Sequence, residues 1–88
     1  MFKMTVSDVF NITGRGTVVT GRVEMGQVSV GDRVDVAGTS YVVNALEMFR
    51  KSVNVASEGD MIGIVLDAKR NMIERGMVIT KGQTGILF

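Results

Sequence analysis

Glu47 is the side chain whose neighbours give it the clearest chemical task. In the stretch Tyr41 to Phe49, Leu46 and Met48 claim one face of a strand, so Glu47 takes the other. An outward carboxylate accepts hydrogen bonds from hydroxyl and amino groups. The same alternation turns two valines outward. If Val19 and Val23 face the core, Val18 faces out; if Ile62, Ile64 and Leu66 face in, Val65 faces out. Two such valines form an apolar floor. Arg15, Arg22, Arg50, Lys51, Lys69, Arg70 and Arg75 supply cations for phosphates. This is the chemistry of recognition, and single-stranded nucleic acid ends are read in this way, by base edges and 2′-hydroxyls. Bond-breaking chemistry finds little here. There is no histidine and no cysteine, so the usual zinc ligands, a thiol nucleophile and a neutral-pH general base are missing. No metal and no cofactor is expected.

Each residue also has a plainer reading. Outward valines are common on barrels. Glu47 beside Arg50 or Lys51 reads equally as a surface ion pair of small value. The pairs Arg50-Lys51 and Lys69-Arg70 read as solvated surface, and Arg75 as a complement to the dipole of a short helical turn.

The elements that must position these groups are strands broken by glycine. The run Gly14-Arg15-Gly16-Thr17-Val18-Val19-Thr20-Gly21-Arg22-Val23-Glu24 is the most informative. Gly14 and Gly16 permit positive φ ahead of a strand, and Gly21 permits close approach inside it. The third glycine comes one residue late for a dinucleotide loop, and the glycines lead into a β-branched strand instead of a helix. No Gly-Lys-Ser/Thr comes after them, so this is no nucleotide phosphate loop either.

Further strands are expected at Phe2 to Thr13, with a break near Ser7-Asp8, at Val28 to Val30, Val34 to Val36, Tyr41 to Phe49, Asp60 to Leu66, Met77 to Thr80 and Gly85 to Phe88. Phe2, Met4, Val6, Phe10 and Ile12 share one phase. Ser52 to Gly59 reads as a polar loop, and Asn71 to Arg75 as one helical turn closed by Gly76. Many short strands with regular turn signals argue an all-β fold, and a closed barrel removes exposed edges.

Length and composition bound the rest. Eighty-eight residues make a single domain, 1–88, with a small core and no repeat or linker. Net charge is +1, too little for binding driven by bulk electrostatics, so an RNA contact needs a local patch. Seven methionines read first as core gap-fillers, second as a soft binding surface. The apolar runs are far too short to span a bilayer, and no signal peptide is apparent. A cytoplasmic protein is expected, with neither membrane nor DNA as partner.

Taken in order, the glycine-rich run, Gly26, Val30-Gly31-Asp32, Leu46-Glu47-Met48-Phe49-Arg50-Lys51, Glu58-Gly59-Asp60, Ile62-Gly63, Lys69-Arg70 and Ile73-Glu74-Arg75-Gly76 closely resemble the second domain of bacterial elongation factor Tu. That domain is the β-barrel shared by translational GTPases. The resemblance runs from about Val6 to Thr80. It implies a closed six-stranded antiparallel β-barrel of the translation-factor domain II type. It also implies a role in holding the 3′ aminoacyl end of charged tRNA beside a GTPase domain, without catalysis by the barrel itself. Carried over, the pocket for the terminal adenosine would use Ile12, Gly14, Val18, Glu47 and Val65, with Arg50 beside it and Arg75 near the acceptor stem. Ser7 stands where the family has an acidic pocket residue, which should weaken the site. Lys81-Gly82-Gln83 departs from the family's Lys-Pro-Gly. No GTP-binding motif is present, so GTP hydrolysis is not expected. The alternative is a structural or protein-interaction barrel that contacts a GTPase domain, a ribosomal surface or a second copy of itself.

Overall fold

The β-branched run after Gly16 builds the longest strand, and the rest of the barrel is assembled around it. The computed structural model describes residues 1–81. Ten strands appear among them: β1 (Phe2–Thr5), β2 (Asp8–Ile12), β3 (Gly16–Met25), β4 (Gln27–Ser29), β5 (Arg33–Val36), β6 (Thr39–Met48), β7 (Lys51–Val53), β8 (Val55–Ser57), β9 (Met61–Leu66) and β10 (Val78–Lys81). The order β1-β10-β5-β6-β9-β3 closes because β1 also pairs β3. The result is a closed six-stranded barrel, antiparallel throughout. β2 continues along the first half of β3, β7 is a hairpin partner of β6, and β4 and β8 form a separate ribbon.

Gly21 is where β1 crosses β3. A Cβ there would collide with the Thr5 carbonyl oxygen and crowd the Met4 side chain. The close approach expected from sequence is therefore made by backbone. Inside, Phe2, Met4, Val19, Leu46, Ile64, Leu66 and Ile79 are fully enclosed, each worth roughly 1.5–3 kcal/mol of apolar transfer. Of the methionines, Met4, Met48 and Met77 serve this core, while Met1, Met25, Met61 and Met72 are exposed.

Three local expectations are corrected. The chain breaks between β1 and β2, as expected, but the break shifts the phase. Phe2, Met4 and Val6 face the core, whereas beyond Ser7 it is Val9 that packs against it and Phe10 and Ile12 that are exposed. On β6 the inward Leu46 and Met48 are found as expected, and a register shift between Val43 and Ala45 lets Tyr41 and Val43 be buried along with Leu46. The segment 52–59 carries the end of β7 and all of β8 because its valines pair with Leu46 and Ser29. Residues 71–75 form turns, not a helix. Gly76 donates its N–H to the Val6 carbonyl, so tertiary pairing takes the backbone that a helical turn would use. The strand expected at Gly85 to Phe88 lies outside the described residues.

A small internal likeness was not legible as a repeat. In Ser29-Val30-Gly31-Asp32 and Ser57-Glu58-Gly59-Asp60 the aspartate Oδ2 accepts the serine N–H at 2.8 Å, and the glycine has φ 94°. Each turn delivers the chain into a barrel strand, β5 and β9.

Candidate functional site

Strand register lays out the outer face of β2, β3, β9 and β6 in two rows. Phe10, Val18, Val65 and Ala45 are successive partners across the four strands. Asp8, Thr20, Gly63 and Glu47 form the next row. Glu47 and Thr20 thus flank a glycine, and the missing side chain at Gly63 opens a notch between them. A Cβ at Gly63 would sit 3.7 Å from Val18 Cγ1 and 3.9 Å from Thr20 Cγ2, which is ordinary contact. The notch belongs to a depression of about 400 Å³ lined by Phe10, Val18, Thr20, Glu47, Met48, Phe49, Arg50, Met61, Ile62 and Gly63.

The structure brings together three of the residues expected from sequence, Val18, Glu47 and Arg50, in that depression. It separates others. Ile12 and Gly14 line a different hollow of about 220 Å³, with Asn11, Thr13, Gly16, Thr17, Ala68 and Arg70. The reason is register: Ile12 pairs with Gly16 at the β2–β3 turn, four residues along β3 from Thr20 of the Glu47 row, and Gly14 lies in that turn, which Arg15 closes by donating its N–H to Ile12 O. Beneath it the Thr17 hydroxyl, 2% exposed, donates to Ala68 O at 2.9 Å and anchors the turn to the chain after β9. Arg75 is tied by its Nη2 to Asp8 Oδ1 at 2.9 Å, and Asp8 pairs with Thr20 of the depression.

The valines require a second correction. Val18 and Val65 do belong to the outer row and not to the core cluster, yet they are only 6% and 4% exposed. They are no open floor. Arg15 starts at the turn and Glu47 in the far row, and their side chains meet at 2.7 Å. By register they meet above the Val18–Val65–Ala45 row. The carboxylate's partner is therefore Arg15 and neither Arg50 nor Lys51, which make no ion pair among the described residues.

Phe10, Thr20, Phe49, Met61 and Gly63 were missed as site residues. Alternation carried the signal for Thr20 and Gly63, because they share the phases of Val18 and Val65. Phe49 and Arg50 have a backbone signature instead. Met48 pairs with Lys51, so the β6–β7 hairpin turns on two residues, with φ 53° at Phe49 and 66° at Arg50. Both sit in the left-handed region that such a turn demands and that Asn-Gly fills best. For residues with a Cβ this costs on the order of 1–3 kcal/mol each. The strain holds a ring that is 86% exposed at the rim of the depression.

The depression thus sets side by side a carboxylate held by Arg15, apolar side chains, an arginine that makes no ion pair among the described residues and an exposed ring. Among the described residues no helix is long and apolar enough to cross a membrane. The family model for elongation factor Tu domain 2 matches residues 16–80, which spans β3 through β10 and every strand of the closed barrel except β1. With that match over most of its length, the chain belongs to the elongation factor Tu domain 2 family, the β-barrel module of translation factors.

Proposed function

We propose that this barrel docks the 3′ aminoacyl end of a charged tRNA next to a GTPase domain, with no catalytic activity of its own. The observation that carries the reading is the convergence of Val18, Glu47 and Arg50 on one depression of the outer face. The exposed Phe10 and Met61 of its lining take a base, the Glu47 carboxylate takes a ribose hydroxyl or exocyclic amine in exchange for Arg15, and the Arg50 guanidinium, without an ion pair among the described residues, takes phosphate. Arg75, held at the edge by Asp8, adds a cation for the acceptor stem. So few phosphate contacts give weak binding and a shallow salt dependence in isolation. The setting for this role is the cytoplasm.

A titration of ¹⁵N-labelled chain with a short RNA ending in CCA, at low salt, tests the reading. Shifts should cluster on Val18, Thr20, Glu47, Arg50 and Gly63, and Glu47→Ala should abolish them. An unchanged response in Glu47→Ala removes the pocket.

A second reading, a protein-interaction barrel, draws on Val30 and Val55. Both lie at the same end of the β4–β8 ribbon, where Val55 pairs with Ser29 and Val30 donates its N–H to Asn54 O, and both side chains are exposed. Sedimentation that depends on concentration would favour it; a monomer at high concentration would count against it.

A further inference from the structure

The β6–β7 hairpin concentrates three features at one point. Its two turn residues both adopt left-handed backbone conformations although neither is glycine or asparagine. Its phenylalanine is 86% exposed on a chain that has four phenylalanines in all. Arg50 and Lys51 beside the ring are exposed and make no ion pair among the described residues. A hairpin under no constraint but stability would carry Asn-Gly here and hide its aromatic ring. An aromatic face flanked by cations is the pairing that holds unstacked bases and their phosphates, because every base has a π-face and the attraction tolerates sequence.

We propose that Phe49 is a stacking platform for an unpaired nucleobase of RNA docked at the neighbouring depression, with Arg50 and Lys51 against the adjoining phosphates. This rests on the RNA-docking reading. It adds a residue that acts through ring stacking, independent of the hydrogen bonds made by Glu47. The turn places the ring in the lining of the same depression as Gly63, so the ring is offered to the nucleotide adjoining a base bound in the notch.

The test uses a hexaribonucleotide ending in CCA and a copy in which 2-aminopurine replaces the penultimate cytosine. Its fluorescence reports stacking, and anisotropy of a 5′-labelled copy gives the affinity. Phe49→Asn suits the turn and keeps the fold, so thermal unfolding should move up. Its affinity should fall about 5- to 150-fold, the range for one lost base–aromatic stack, and the quenching of 2-aminopurine should disappear. Phe49→Trp should restore both. The salt dependence should stay that of the parent, because no charge is removed. If the parent binds and Phe49→Asn binds equally well with the same quenching, the stacking platform is overturned and RNA docking stands. If the parent does not bind, both are overturned.

Discussion

Arg15 Nη2 lies 2.7 Å from Glu47 Oε2, and the bridge crosses the row of outward valines from the β2–β3 turn to the far strand. Its side chains are 42% and 34% exposed, so it contributes at most about 1 kcal/mol to stability. Its effect is on access. By register it passes over the row of Val18 and Val65, and it occupies the carboxylate. Arg15→Ala should leave the unfolding temperature within a few degrees and let adenosine alone bind up to about fivefold more tightly, which is the strength of such a pair expressed as affinity. Adenosine carries no phosphate, so no lost phosphate contact obscures the result. Weaker adenosine binding by Arg15→Ala, read by ¹⁵N shifts, would show that the arginine helps the ligand instead of covering its bed.

Gly63 separates occupancy from stability. It does not have a left-handed φ, and a Cβ there meets only ordinary contacts. Gly63→Ala should therefore unfold at or above the parent's temperature, since glycine within a strand costs about 0.5–1 kcal/mol relative to alanine. Gly63→Leu should fill the notch and lose the response to a CCA-ended oligonucleotide while the spectrum stays well dispersed. A full response in Gly63→Leu would place the ligand elsewhere.

Gly21 is the opposite case. The Thr5 carbonyl and the Met4 side chain occupy the space a Cβ would need. Gly21→Ala must push β1 off β3 at the crossing that closes the barrel. A loss of about 3 kcal/mol is expected, which lowers the midpoint of thermal unfolding by roughly 10 °C or more. A midpoint within two or three degrees of the parent would mean that β1 is free to move.

Asp32 gives the stability a dependence on pH. Burial raises its pKa, but the Lys81 ammonium at 2.9 Å and the Ser29 N–H at 2.8 Å outweigh that and hold it below the ordinary aspartate value. A folded pKa below the unfolded one means the stabilisation is complete above the unfolded value, near 4. It is lost as pH falls through the folded value. Urea unfolding of the parent and Asp32→Asn should differ by about 1–2 kcal/mol at neutral pH, and the two should converge below pH 4. A gap that persists into acid would assign the loss to packing, not charge.

Several features were readable from residues alone. Gly14 and Gly16 have the positive φ that their place before a β-branched run requires, and Gly21 marks a close approach. The alternation in Thr17–Val23 and Ile62–Leu66 gave the correct inward faces, because alternation is a local property of an extended chain. The same rule put Glu47 outward, where it lines the depression. It failed at Phe10 and Ile12, where the break at Ser7 shifts the phase, and in 52–59, where two short strands form only because distant partners exist for them.

The class of fold, the inward faces of the long strands, the glycine positions and the family are all legible in the order of residues, since they rest on backbone sterics, side-chain alternation and the succession of motifs along the chain. Which of the outward residues share a site is settled by the folded barrel alone. Ile12 and Gly14 went to another hollow, Thr20 and Gly63 joined Val18, and Arg15 reached across 32 positions to close on Glu47. Which side chains meet on an outer face depends on the register between strands far apart in the chain, and periodicity within one strand holds no information about that register.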